Sequence, residues 1–342
     1  MASASNGVAL LVKSCNSSAV IYCILPSAAD YSPNARTRSA ASRSAGQSSP
    51  CGTRPQTGRL NHSSNGPTMP TVFASRHPRW LCGLLMPLLG ALVPSPGLAA
   101  LSLDWDDRFS ETEKTQLESW IRETCEALER EVGPFPMDVR IEFRRREPAG
   151  EPVPWAHTKR GRREGVEFYV DPRYGRKQFR EDWTAPHELS HLILPYLGRD
   201  NAWFAEGFAS YMQYQVMIQM GVLARSAADD RYRRNLQSAA RGYPYPDLPF
   251  ADAAERLLRA RQYPVMYWGG AAYFLQVEQH LRRDGTRIPE VLRDYLACCR
   301  ARSADLDDLV KTLDRLADSD AFSVVLRRFR QSDGFPVADV VE

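Results

Sequence analysis

Carboxylates are nearly missing from the front of this 342-residue chain: before Asp104 the one acidic residue is Asp30. Residues 1–68 carry Ser, Asn, Arg and Pro instead, with no sustained apolar periodicity. Such a stretch buries too little apolar surface to offset its ordering entropy. Residues 1–68 are therefore expected to be disordered, or an extension foreign to the natural product. No apolar run reaches the roughly 20 residues that a membrane-spanning helix needs. None of the seven cysteines stands in a CxxC spacing, so no cysteine cluster competes for a metal. Basic clusters occur at Arg144–Arg146 and Lys159–Arg163, but without the interleaved aromatics of a nucleic-acid surface. They read as solvated strand ends, and no nucleic-acid partner is expected. The net charge of +3 is slight, and no internal repeat is present.

Residues 69–100 have a three-part pattern. Arg76 and Arg79 give a basic start, Trp80–Val93 an apolar core, and Pro94 and Pro96 a break before the small residues around Ala99 and Ala100. This is the composition of a secretory signal peptide. It predicts Met69 as the natural start and an exported, periplasmic or secreted product. Membrane contact is expected only through this segment, as a signal or as an uncleaved anchor. Residues 101–342 then form a single domain with a sizeable core, an α+β part over 101–200 and a helical part over 201–342. Cys125, Cys298 and Cys299 remain in it, an odd count that gives no disulfide framework. Neighbouring cysteines rarely bridge each other, so Cys125 is expected to pair with Cys298 or Cys299 if anything does.

Within that domain Ser110–Val132 reads as an amphipathic helix, with Ser110 and Glu113 at capping-box spacing. "MDVRIEF" (137–143), "VPWAHT" (153–158) and "GVEFYVD" (165–171) read as strands. A Pro-rich loop, "GYPYPDLPF", precedes further helical segments at 251–260, 263–285, 288–296, 306–316 and 321–330.

Histidine is scarce, six in all, yet His187 and His191 stand four apart with Glu188 between them. Four residues is just over one helical turn, so both imidazoles lie on one face and can converge on one ion. Glu188 is rotated by about 100° from His187, beside the metal and free to handle its water. This is the content of the HExxH pattern: two zinc ligands and a general base on one turn. Thr184 and Pro186 suit the first turn of that helix. Gly198 reads as its stop, and Asp200 or Asn201 as the cap of the next helix. A hydrolytic zinc takes a third protein ligand and keeps one position open. Glu206 follows after fourteen intervening residues. A short loop at Leu197–Asn201 would fold its helix back beside the first and complete a His, His, Glu set.

"WFAEGFASY", Trp203–Tyr211, resembles the third-ligand segment of the gluzincin zinc metallopeptidases related to membrane alanyl aminopeptidases. The resemblance implies His187, His191 and Glu206 as ligands of one Zn²⁺ per chain, with Glu188 as base. It also implies an α+β, thermolysin-like lobe: a small mixed or antiparallel sheet followed by a mainly helical part. In that family the second histidine and the glutamate lie about one helical turn further apart. "MYWGGAAYFL" is similar to the family's Tyr-x-Lys-Gly stretch, which implies Tyr267 as donor to the oxyanion, with Gly269 where Lys is usual. Tyr263 and Tyr273 are rival candidates. In the resemblance the edge strand pairs with substrate backbone, and "VPWAHT" or "GVEFYV" is a candidate for it. His157 is read as a cleft residue or, more simply, as a structural one.

These readings define an exported zinc-dependent peptidase acting on a peptide or protein through a zinc-activated water. The family's Gly-x-Met-Glu-Asn segment is absent, which leaves endopeptidase and aminopeptidase action both open. Two other classes stay open: a non-catalytic module that binds peptide or protein on the same fold, and a zinc hydrolase of a non-peptide bond.

Overall fold

The computed structural model describes residues 100–106 and 108–336. The expectations for 1–68, and for the signal segment up to residue 99, lie outside the described residues. Among the described residues no helix is long and apolar enough to cross a membrane.

Alternation builds the sheet. Strands β1 (Leu101–Trp105), β2 (Val139–Arg145), β3 (Trp155–Lys159) and β4 (Glu164–Val170) lie in the order β1-β2-β4-β3. The β1–β2 and β2–β4 pairs are parallel and β3–β4 is antiparallel, so the sheet is mixed. Successive side chains point to opposite faces. Val139, Ile141, Phe143, Val166, Phe168 and Val170 are buried. The indole of Trp120, on helix α1 (Glu111–Val132), packs against the rings of Phe143 and Phe168. Ser110 and Glu113 close the capping box that starts α1.

The alternate positions on the strands are charged and paired. Arg140 meets Asp104, Arg144 bridges Glu142 and Glu167, and Lys159 does the same. Arg145 reaches Glu113 and Glu147. Arg144, Arg145, Lys159 and Arg160 are thus drawn into ion-pair networks, while Arg146, Arg162 and Arg163 are exposed, as solvated strand ends would be. Glu142 and Glu167 are buried, and a carboxylate taken out of water needs a cation beside it. β1 was not anticipated, although Leu101, Leu103 and Trp105 alternate. The edge beside the helices is β3, and β4 is interior, which removes "GVEFYV" as a candidate edge strand.

After the sheet the chain is helical: α2 (Arg176–Glu181), α3 (Thr184–His191), α4 (Ala202–Gln219), α5 (Arg225–Gly242), α6 (Phe250–Arg259), α7 (Tyr263–Arg283), α8 (Ile288–Cys298), α9 (Leu306–Ala317) and α10 (Ala321–Gln331). Helix α4 is buried on all sides over most of its length, the signature of a central core helix. It packs against α3, α7 and α1. Gly207 of α4 and Gly270 of α7 meet backbone to backbone, and a Cβ on either would overlap the other helix.

Two local expectations are corrected. Helix α3 stops at His191 rather than running to Gly198. Pro195 has no N–H to give to the His191 carbonyl, so the regular ladder cannot continue. Gly198 instead takes a φ of +80° inside the connecting loop. The second correction concerns cysteine. Cys298 and Cys299 are bonded to each other, and Cys125 is buried and free. Helix α8 ends between the two neighbours, and Cys299 leaves the helical conformation with a φ of −136°.

Candidate metal centre

Helix α3 presents His187 and His191 one turn apart, and α4 lies back across them. Its first turns bring Glu206 between the two rings. The Glu206 Oε2 atom is 3.2 Å from His187 Nε2 and 3.5 Å from His191 Nε2. One ligand atom from each of the three residues falls within 4.8 Å of the others. All three side chains are buried, as is Glu188. Asn201 does precede α4, but its amide donates to the Leu197 carbonyl and not into the helix.

The electrostatics follow from burial and proximity. Burial alone would push the Glu206 carboxyl up. The charge of His191 and the ring N–H groups of both histidines outweigh it and hold Glu206 well below the usual carboxylate range. Burial pulls the His187 imidazole down, but its bond to Glu206 and the charges of Glu206 and Glu188 raise it above its ordinary value. The Glu188 carboxyl is raised, because burial outweighs the two nearby imidazoles. A divalent cation suits this set. Two imidazole nitrogens and one carboxylate oxygen within 4.8 Å of one another are a zinc donor set.

Two residues that sequence reasoning missed complete the site. Gln213 Oε1 accepts from His187 Nδ1 at 3.0 Å, which turns Nε2 towards Glu206. Outer partners of this kind fix the tautomer and ring of a ligating histidine. Gln213 lies two turns after Glu206 on the same face of α4, a spacing that was legible. Thr158, on β3, places its hydroxyl 3.0 Å from Glu188 Oε2 and 3.1 Å from the Glu188 carbonyl. The other carboxylate oxygen, Oε1, is buried and has no hydrogen-bond partner. Strand alternation decides between Thr158 and its neighbour. His157 faces the charged side of the sheet, 3.5 Å from Glu167.

Tyr267 lies on α7, its ring tilted 25° from the His187 imidazole at 5.9 Å. Tyr263 is one turn further out, 6.3 Å from Tyr267. Tyr273 is fully buried and donates to the Phe322 carbonyl, so it is a core residue. At Gly269, the position of the family's Lys, the ring of Phe250 leaves no space for a Cβ. A small cavity of about 20 Å³, room for about one water, opens beside the ligands between Thr158, His191, Glu206, Tyr196, Leu197 and Ala205.

No protein-family model and no curated protein matches the chain. Among solved structures it is similar to a mutant M1 zinc metallopeptidase from Deinococcus radiodurans bound to a Tyr-Ser-Ala substrate. The identity is 14%, the TM-score 0.44, and the match covers 70% of this chain and 49% of that one. A two-domain M1 zinc metallopeptidase bound to L-tryptophan matches at 15% identity and a TM-score of 0.45, over 70% of this chain and 49% of that one. A further structure of M1 zinc metallopeptidase from Deinococcus radiodurans matches at 15% identity and a TM-score of 0.42, over 68% of this chain and 49% of that one. The chain thus spans about half the length of each. A likeness this distant assigns nothing to the site, whose chemistry is argued from its own residues.

Proposed function

We propose that this chain is an exported zinc-dependent peptidase, with His187, His191 and Glu206 as ligands of one Zn²⁺, Glu188 as general base and Tyr267 as oxyanion donor. The observation that carries the reading is Glu188. Neither the ligand set nor the packing requires a buried carboxylate there, yet Thr158 holds one of its oxygens and leaves the other unpartnered beside the three ligands. That arrangement favours catalysis over a module that only binds peptide.

Zinc held by the three residues would polarise a carbonyl and acidify a water towards a pKa of about 7. Glu188 Oε1 takes the proton from the attacking water and returns it to the leaving amine. Burial, which raises the Glu188 carboxyl, strengthens it as a base. Gln213 keeps His187 in one tautomer through the cycle. The Tyr267 hydroxyl donates to the carbonyl oxygen as charge builds there. A peptide or protein substrate fits the position of β3, an edge strand whose Thr158 touches the base.

The test is incubation of the zinc-loaded chain with a diverse peptide library, read by mass spectrometry. Internal cuts mark an endopeptidase, and cuts one residue from the amino end an aminopeptidase. An intact library, with zinc bound, refutes the peptidase reading.

A further inference from the structure

The carbonyls at the end of α3 lack their helical partners. His191 O would accept from residue 195, but Pro195 has no N–H. Leu192 O would accept from Tyr196, but the Tyr196 N–H goes instead to the Arg302 carbonyl at 2.9 Å. Unpaired buried carbonyls are costly, and two guanidinium groups take these. Arg160 Nη2 donates to His191 O at 2.6 Å, and Arg160 Nη1 to Leu194 O at 3.2 Å. Arg300 Nη2 donates to Leu192 O at 3.0 Å. Both arginines are tied to one carboxylate, Glu164: Arg160 Nη1 to its Oε2 at 3.0 Å, and Arg300 to both oxygens. The Arg300 and Glu164 side chains are only 4% and 3% exposed. Two cations share one anion here, and the negative end of α3 supplies the balance.

We infer that Arg160, Glu164 and Arg300 are positioning residues for the metal ligand His191, acting through the backbone of the turn that carries it. The inference rests on the metal reading of the site but not on peptidase activity. Gln213 orients His187 through its ring. The second ligand gains a brace through its own carbonyl, and it comes from two distant places. Arg160 follows β3 and Glu164 opens β4. Arg300 follows α8, 108 residues beyond the carbonyl it holds. The same C-terminal segment is stitched to the loop after α3, because Ala304 N–H returns to the Tyr196 carbonyl at 3.1 Å. A frayed last turn would let the His191 ring swing away from Glu206. The brace removes that freedom before any metal arrives.

The experiment measures zinc affinity by competition with a chromogenic chelator, together with the visible spectrum of the Co²⁺-loaded chain. The variants are Arg160→Met, Arg300→Met and Arg300→Lys, which keep length or charge but lose the fork. Arg287→Met is the control. It breaks a similar pair, Arg287–Glu278, between the start of α8 and helix α7. The two brace Met variants are expected to bind zinc about 10- to 100-fold more weakly, the usual scale for outer partners of a metal ligand, and to show an altered Co²⁺ spectrum. Arg300→Lys should fall between them and the unaltered chain. The control should bind zinc within about twofold of it, whatever stability it loses. If Arg300→Met fails to fold, Arg300→Lys and Arg160→Met carry the test. Unchanged affinity and spectrum in the brace variants, or an equal loss in the control, overturns the inference. No zinc binding by the unaltered chain overturns both the inference and the metal reading. Zinc binding without peptide cleavage, together with the expected losses, upholds the brace and refutes only the peptidase reading.

Discussion

Glu188 and Glu206 show how residues of one type are divided by their surroundings. Both are buried within reach of the same two imidazoles, but their carboxyls are driven in opposite directions. Glu206 touches both ring nitrogens and stays ionised, as its proposed role of ligand requires. Glu188 bonds to a hydroxyl instead and is raised, as suits a base. Glu188→Gln should therefore keep zinc, by elemental analysis, while kcat falls about 10²-fold or more. Loss of zinc in that variant would reassign the residue. The Tyr267 hydroxyl matters once the carbonyl oxygen gains charge, so Tyr267→Phe should lower kcat by about 10²–10³-fold with little change in KM. Tyr263→Phe should be nearly silent, since its ring lies a turn away from the ligands. A loss in Tyr263→Phe alone would show that the register is off by a turn.

At the scale of elements, the site depends on how closely α4 approaches α7. Glu206 rides on one helix and Tyr267 on the other, and Gly207 against Gly270 sets their separation. Gly207→Ala would push backbone from backbone and should cost about 3 kcal/mol, the upper end for overpacking. Urea denaturation would measure the cost, and a change under about 1 kcal/mol would mean that the helices part freely. β4 ends in a different device. Asp171 accepts from Arg173 and from the Ala149 N–H, and the Arg173 guanidinium holds its carboxyl down at about 2. A depressed carboxyl adds stability above its unfolded pKa and loses it as pH falls towards the folded one. Asp171→Asn should thus cost about 1 kcal/mol at neutral pH, screened because Arg173 is half-exposed. The gap to the parent should narrow by pH 3, and a gap that widened there would contradict the assignment. The metal helix and the long helices were legible in the sequence, because apolar spacing and caps are local signals. β1, α2 and α5 were not, being short or strongly polar, and neither was the bracing of the end of α3. Pro195 marks that end locally, but the two arginines that take its carbonyls are distant in sequence, and no local pattern contains all three. Thr158 went unread because the histidine beside it drew the chemical argument to the wrong face of the strand.

Across the described residues, the candidate centre is built into the core rather than added at its edge. The candidate ligands sit on buried helix faces, and α1, α7 and the segment after α8 hold those helices from several sides. Such a site should persist without metal, because α3 and α4 are packed on each other and on α1, and α4 also on α7. Zinc would then bind the folded chain and stabilise it by mass action rather than make it fold. At free zinc about 1,000 times Kd the gain is about 4 kcal/mol. For a domain of this size each kcal/mol moves Tm by about 2–4 °C, so zinc should raise Tm by about 8–16 °C. Calorimetry on the chelator-treated chain should show one cooperative transition at the lower temperature, and added zinc should restore the higher one. Glu206→Ala should melt without this zinc response, having lost the ligand that faces both histidines. An unfolded metal-free chain would mean that the ligands assemble only around the ion, and the packing of α3 on α4 would then be a consequence of metal binding rather than its cause.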